Sequence, residues 1–372
     1  MEKIYLDYNA STPLAPEVVE AMKPLLYDYY GNSSALHWSG KPVKQLLQKA
    51  REQVASLIGS SPNEIVFTSG GSEANNLALK GFYFKHRSKG NHIITSKIEH
   101  PAIINPCKFL EQVGANVTYV GVDRYGRVSL EEIKKAITKE TILISIMHSN
   151  NEVGTLQPIK AIAEMAKQAG IVFHTDASQS VGKVPIDVKE LQVDMLTIAG
   201  HKLYAPKGIG ALYLKEGIQL EPLIHGAGHE SGLRAGTENT LLAVGLGQAC
   251  EIATVQVGRK EIKKLTEYFW HQLRTVFGEN VVLNGHAEER LPNTLSVNFV
   301  NKVGQDILAG IPQLAASTGS ACHAGSVELS PVLKVMEVPE HIGMGAIRFS
   351  VGRETTQAEI DQVISWLRQI IT

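Results

Sequence analysis

From Glu64 to Leu214, short apolar runs alternate with helically spaced stretches, and this alternation confines the chain to a small set of folds. Glu64 to Thr68, His92 to Thr95, Asn116 to Val120, Thr141 to Met147 and Ile171 to Asp176 read as strands, and Met195 to Lys202 as another apolar run with a polar end. Between them, Leu130 to Ile137 and Ile159 to Ala169 carry apolar residues at helical spacing. That order predicts an α/β fold with a mostly parallel, doubly wound sheet. Lys207 to Leu214 reads as one more strand returning beside it. Ligands of such sheets sit in the crevice at the carboxyl ends of the strands, so chemistry is sought there first.

Two of the runs end in reactive side chains. The run from Met195 stops abruptly at Gly200, His201 and Lys202, and the run from Ile171 stops at Asp176, followed by Ala177, Ser178 and Gln179. A lysine after a strand is ordinarily a solvated turn residue. A lysine and an aspartate closing neighbouring strands are instead what pyridoxal 5'-phosphate needs: the lysine holds the cofactor as a Schiff base and the carboxylate keeps the ring nitrogen protonated. Desolvation beside a cationic ring also lowers a lysine pKa and makes its amine a nucleophile. Upstream, the strand ending at Thr68 turns through Ser69, Gly70, Gly71 and Ser72 into a helix beginning at Glu73. Glycines and hydroxyls at a helix start form an anion site, because free N–H groups and the helix dipole converge there; the same pattern also serves an ordinary serine cap. His100 follows another strand, as a residue that stacks on an aromatic cofactor and moves protons or as a hydrogen-bonded loop histidine. His148-Ser-Asn-Asn-Glu-Val-Gly154 is a polar cluster at a third strand end.

Composition sets the outer bounds. With 372 residues, 44% hydrophobic, 20% charged and a formal net charge of −1, the chain is globular in make-up and offers no electrostatic case for nucleic acid or a membrane surface as primary ligand. It opens Met1-Glu-Lys-Ile-Tyr-Leu-Asp7, with neither a signal peptide nor a transit segment, and no apolar run approaches a membrane span; the expected location is cytoplasmic. The three cysteines, Cys107, Cys250 and Cys322, are too few and too scattered for a disulfide framework or a zinc site, and no metal site is expected. Cys107 and Cys250 lie in apolar helical contexts and read as packed small hydrophobes. Cys322, within Ala315-Ala-Ser-Thr-Gly-Ser-Ala-Cys-His-Ala-Gly325, sits in loop composition, expected to be mobile and exposed, where a thiolate is a nucleophile.

The remaining segments suggest two units. Ile4 to Tyr8 reads as a short strand, broken by Asn9-Ala-Ser-Thr-Pro13 before a helix from Pro16, and a second helix from Val43 to Ile58 stops at Gly59. Arg234-Ala-Gly-Thr-Glu238 belongs to a glycine-rich loop ahead of a helix from Asn239 to Val255. A long helix from Glu261 to Phe277 then carries the chain out of the large unit. Strands at Leu295 to Phe299 and Ala346 to Val351, and helices at Ile307 to Ile311 and Gln357 to Ile371, build a smaller one. The expected division is residues 16–258 for a large cofactor-binding domain, and residues 1–15 with 259–372 for a small α+β domain carrying the Cys322 loop.

Seven stretches together carry a resemblance. Ser69-Gly-Gly-Ser-Glu-Ala-Asn-Asn76, His148-Ser-Asn-Asn-Glu-Val-Gly154, Asp176-Ala-Ser-Gln179, Gly200-His-Lys202, Arg234-Ala-Gly-Thr237, Gly319-Ser-Ala-Cys322 and Ile347-Arg-Phe-Ser-Val-Gly-Arg353 follow one another along nearly the whole chain. In this order they resemble the cysteine desulfurases of pyridoxal-phosphate fold type I, in the group with a long catalytic loop. The resemblance implies a mostly parallel seven-stranded sheet in the large domain, beside the smaller α+β domain. It implies that Cys322 attacks the sulfur of substrate L-cysteine, leaving L-alanine and an enzyme persulfide for an acceptor protein. That acceptor would be an iron–sulfur scaffold, a tRNA-thiolation protein or a DNA-sulfur-modification protein, and Cys322 could ligate an iron–sulfur cluster transiently.

By the same resemblance Lys202 would be the Schiff-base lysine, Asp176 the partner of the pyridine nitrogen and His100 the ring-stacking acid/base. Gln179 and Asn151 would meet the cofactor's phenolic oxygen or the substrate, and Gly71, Ser72 and His201 the phosphate. Thr237 would reach the phosphate of a neighbouring subunit, which implies a homodimer. Arg348 would bind the substrate carboxylate as a bidentate fork, the alternative being a structural salt bridge. Two positions depart from the family pattern. Ala199 stands where many relatives have serine, and His323 where they often have threonine. Cysteine followed by histidine, with Ser330-Pro-Val-Leu333 further on, is also similar to selenocysteine lyases of the same fold and cofactor. A plain pyridoxal-phosphate aminotransferase, for which Cys322 would be dispensable, is the more distant alternative.

Overall fold

The structure, a computed structural model, describes residues 3–318, 320–323 and 326–371, with the backbone alone described at 320–323, 326 and 327. After β1 (Ile4–Tyr5), seven strands form the large sheet: β2 (Ile65–Thr68), β3 (His92–Ser96), β4 (Asn116–Val120), β5 (Thr141–Ser145), β6 (Val172–Asp176), β7 (Met195–Ala199) and β8 (Gly210–Leu214). Their spatial order is β2-β8-β7-β6-β5-β3-β4. Within it β8 runs against both neighbours, and every other pairing is parallel. This is the fold class expected from the alternation, with the returning strand where Lys207 to Leu214 suggested it.

Successive residues of a strand face opposite sides, so a sheet covered on both faces is apolar throughout. From β7, Leu196 and Ile198 pack with Ile144 and Phe173 on one face, while Met195 packs with Ile93, Leu143 and Leu212 on the other. The helix Ile159–Gln168 buries Ile159, Ile162, Ala163 and Ala166, the i, i+3, i+4, i+7 stripe that its spacing predicts. The helices Pro16–Tyr27, Gly40–Ile58 and Thr240–Gln256 add their buried residues to the same core as Leu196 and Ile198.

A second apolar core is built by the helices Lys260–Phe277 and Gln357–Ile371 and by strands β9 (Val281–Leu283), β10 (Thr294–Phe299), β11 (Leu314–Ala315) and, further on, Ala346–Ser350; the short polar strand β12 (Ser317–Thr318) follows β11. Phe269 meets Phe349 at 4.9 Å between ring centroids, and Phe277 meets Phe299 at 5.4 Å. The chain's beginning joins this second core: β1 pairs in parallel with β11, and Ile4 and Leu6 are buried in it. Residues Asp7 to Ala10 then cross to the helix on the large sheet. Among the described residues, no single helix is long and apolar enough to cross a membrane.

Three segments differ from the sequence reading. The first strand covers only Ile4–Tyr5, and Asp7 follows it with an isolated bridge to Ser350. The helix expected at Ile307 to Ile311 forms earlier, at Gly304–Ala309. The third difference is the Cys322 segment, read as a loop. Its backbone forms β13 (Ser320–His323), paired antiparallel with β14 (Ser326–Leu329), Cys322 opposite Val327. Serine and alanine have low strand preference, which is why composition reads as loop; hairpin pairing nevertheless gives the backbone groups partners. Adding β15 (Ala346–Ser350) completes the small antiparallel sheet, in the order β12-β15-β10-β9.

Candidate active site

Parallel pairing forces β3, β5, β6 and β7 to end on one edge of the sheet, and the residues that follow them converge. They line a cleft of about 750 Å³ that includes His100, Asn151, Asp176, Gln179, His201 and Lys202. Gly71 and Ser72 enter it from the end of β2, and Arg348 from β15 of the smaller body. Of the residues expected from the sequence, the structure therefore gathers nine in one place.

Asp176 closes β6 and is buried, 7% exposed as a residue. Asn75 Nδ2 donates to one oxygen at 2.7 Å and the Ser178 N–H to the other at 2.9 Å. Both are neutral donors, so the charge is oriented without being neutralised. His100 caps the helix Pro101–Gln112, its Nδ1 accepting from the Ala102 N–H at 3.1 Å, and Pro101 at the first helical position fits the fixed φ required there. Desolvation by the cleft wall lowers the His100 pKa; Asp176 opposes that shift and Lys202 adds to it. His201 is pushed down to about 4, by desolvation first and then by the nearby lysines and His100. Both rings are therefore neutral near pH 7.

Gly70 turns β2 into the helix with φ 152° and ψ 179°, a conformation essentially confined to glycine. The helix that starts at Gly71 has first-turn N–H groups with no intrahelical acceptor. A Cβ on Gly71 would stand 3.0 Å from Ser178 Oγ and 3.2 Å from Ala199 Cβ, so this corner is kept open by the missing side chain. An open corner with unspent N–H donors and the Ser72 hydroxyl suits a phosphate, and an uncompensated carboxylate across the cleft suits a protonated ring nitrogen. The donor set fits pyridoxal phosphate, with Ala199 leaving out the hydroxyl that a serine would add.

Lys202 ends the short 3₁₀ turn Gly200–Lys202 after β7. Its Nζ donates to the carbonyls of Asn9 and, at 2.8 Å, Ala10. Desolvation, with the Arg348 cation adding to it, lowers its pKa to about 8, against the opposing pull of Asp7 and Asp176. The sequence reading missed Asn9, whose only signal was its place in the break after the first strand. It is 1% exposed, and all its polar atoms are bonded.

Arg348 is held more firmly than the sequence suggested. Its Nη2 donates to Asp7 Oδ1 at 2.7 Å and to Ser317 Oγ at 2.9 Å, and its Nη1 to the Asn151 carbonyl at 2.9 Å. The Asp7 pair is the salt-bridge alternative, yet the guanidinium still lines the cleft, and its Nε has no hydrogen-bond partner among the described residues. Ser317 lies five residues before Cys322, so an extended chain tethers the cysteine within about 17 Å of this cluster. The other root of the hairpin, Ser330, bonds to Glu152 next to Asn151. The Cys322 side chain itself lies outside the described residues. Thr237 is exposed and stands apart from the cleft, against Tyr29, Tyr30 and Glu238.

The lowered Lys202 pKa can be read directly. The neutral, nucleophilic amine should predominate above about pH 8, where an ordinary lysine stays charged to near 10.5. Labelling of Lys202 in cofactor-stripped protein by an amine-reactive reagent, quantified by peptide mass spectrometry across pH, is expected to show a midpoint near 8. A midpoint near 10.5 would mean a solvated, unperturbed amine.

Comparison with known proteins agrees with this geometry. Residues 4–363 match the family model for class-V aminotransferases. The cysteine desulfurase IscS of Dictyoglomus turgidum is 46% identical over 374 aligned residues, covering 99% of this chain and 94% of that protein. A solved NifS-like protein superimposes with a TM-score of 0.93 at 36% identity, covering 99% of both chains. SspA in complex with cysteine superimposes at 0.83 with 40% identity, covering 93% of this chain and 98% of that one. With its matched length and its lysine and aspartate at adjacent strand ends, the chain belongs to the class-V aminotransferase family of pyridoxal-phosphate enzymes.

Proposed function

We propose that this protein is a cysteine desulfurase, converting L-cysteine to L-alanine and holding the released sulfur as a persulfide on Cys322. The observation that carries the reading is the meeting of Lys202, Asp176 and Arg348 in one cleft, with the roots of the Cys322 hairpin, Ser317 and Ser330, bonded to Arg348 and to Glu152. Bound pyridoxal phosphate supplies an electron sink for the pair released when bonds at the substrate carbons break.

The chain's own residues do the rest. Lys202 anchors the cofactor, and its amine, when free, takes and returns a proton at the substrate Cα. Asp176 keeps the ring nitrogen protonated, Gly71, Ser72 and His201 hold the phosphate, and Gln179 and Asn151 address the phenolic oxygen and the substrate. His100, neutral near pH 7, stacks on the ring and moves a proton at the substrate sulfur. Arg348 receives the substrate carboxylate, which competes with Asp7 for the guanidinium. The Cys322 thiolate then attacks the substrate sulfur: the S–S bond forms, the Cβ–S bond breaks, its electron pair stays with carbon, and protonation at Cβ completes alanine.

The persulfide is passed to an acceptor protein, of the iron–sulfur scaffold, tRNA-thiolation or DNA-sulfur-modification kind, in the reducing cytoplasm where Cys107 and Cys250 stay unpaired. The active form is a homodimer in which Thr237 meets the partner's cofactor phosphate. Its exposure supports that reading, as does the ion pair of neighbouring Arg234 with Glu73 at 3.0 Å, in the first turn of the phosphate-side helix.

Alanine production from cysteine tests the reading. Cys322→Ala is expected to keep bound cofactor yet lose alanine production and persulfide, while Cys107→Ala and Cys250→Ala remain active; full activity of Cys322→Ala rejects the persulfide route. Arg348→Lys, which cannot form the planar fork, is expected to raise KM for cysteine by roughly tenfold or more. An unchanged KM with a lowered Tm would assign Arg348 to its pairing with Asp7 alone.

A further inference from the structure

Behind Gln179 lies a second lysine that the reaction scheme does not use. Lys183 Nζ donates to Gln179 Oε1 at 2.9 Å and to Asn9 Oδ1 at 3.0 Å. Lys183 does not line the active cleft; it lines a separate cavity of about 480 Å³ on the far side of Asn9, with Tyr8, Tyr204 and Asn293. We infer that Lys183 is a positioning residue: it fixes which end of the Gln179 amide faces the cofactor.

The two ends of a glutamine amide are nearly the same size, so only their partners decide the orientation. Gln179 Nε2 donates to the Asn9 carbonyl at 2.9 Å, an atom that can only accept. Gln179 Oε1 accepts from an amine whose N–H groups point at it. Turning the amide over would set oxygen against oxygen at the Asn9 carbonyl and forfeit the bond that Lys183 donates. Asn9 cannot adjust to relieve this, being saturated from both bodies: its N–H donates to Ser350 Oγ at 2.9 Å, its Nδ2 to Thr294 Oγ1 at 2.8 Å, and its Oδ1 also accepts from Asn293 Nδ2 at 3.1 Å. Burial, with the Lys202 and Arg348 cations, pushes the Lys183 amine well below the ordinary lysine range.

Locked this way, Gln179 retains one N–H for the cleft. The inference rests on the reading that this residue meets the cofactor's phenolic oxygen. A donor there favours the ionised phenol, so it lowers the pH at which bound cofactor ionises. The charged groups around the network, Lys202, Arg348, Asp176 and Asp7, are left in place by the variants below.

The test is an absorbance titration of the phenolic ionisation in cofactor-loaded protein. Gln179→Met and Lys183→Met are each expected to raise it by about one unit, the scale of one hydrogen bond to a charged group. The double variant is expected to rise no further than Gln179→Met alone, because Lys183 acts through the glutamine. Additive shifts, or a Lys183→Met protein that loses thermal stability with its ionisation unmoved, overturn the inference. Lys183→Gln, which keeps a donor in the wall, decides the matter if the methionine variant does not fold: it is expected to stay near wild type, and a shift as large as that of Gln179→Met overturns the inference. Failure of the underlying reading looks different, with Gln179→Met itself leaving the ionisation unmoved.

Discussion

The site depends on the parallel pairing of β6 with β7. Asp176 pairs in register with Thr197, and the chain then runs through Ala199 to Lys202. Hydrogen-bonded strands lie about 4.8 Å apart, so side chains leaving the two ends must share one crevice. Among the described residues Asp176 and Lys202 do not bond to each other: the carboxylate takes neutral donors from Asn75 and Ser178, and the amine takes backbone carbonyls. A direct ion pair would have held the amine protonated. Separate satisfaction leaves the carboxylate for a cationic ring and lets desolvation bring the amine near neutrality.

Residues Asp7 to Ala10 are the second element of the design, since they tie the two apolar bodies together at the cleft. Asp7 holds Arg348 of the small sheet, Asn9 is bonded to both bodies, and the Asn9 and Ala10 carbonyls hold Lys202. Substrate and cofactor groups recognised from different bodies are thereby kept in one frame. The Cys322 hairpin is anchored to the same frame, Ser317 bonding to Arg348 and Ser330 to Glu152.

Much of this was legible because strand ends write themselves into sequence. Apolar runs that stop at Asp176 and at Gly200-His-Lys202, and a glycine turn before Ser72, give both the sheet and the cleft that its ends define. Residues acting through long-range hydrogen bonds were not legible. Asn9 is 341 positions from Ser350, Asp7 is equally far from Arg348, and Lys183 has no motif beyond its spacing from Gln179. Glu99 was passed over too: buried and bonded to Ser96 Oγ and the Met147 N–H, it is raised to about 8 by desolvation, in a stretch that reads as a turn. The Cys322 hairpin was misread because pairing, not propensity, decides that backbone.

The most direct test of the central claim is a single turnover. Cofactor-loaded protein given less than one equivalent of L-cysteine, without any acceptor, is analysed for free alanine and for sulfur added to each cysteine-containing peptide. The expected result is alanine and Cys322 persulfide in equal amounts, with Cys107 and Cys250 unmodified. Alanine formed with no sulfur retained on the chain, or sulfur retained on either buried cysteine, would contradict it.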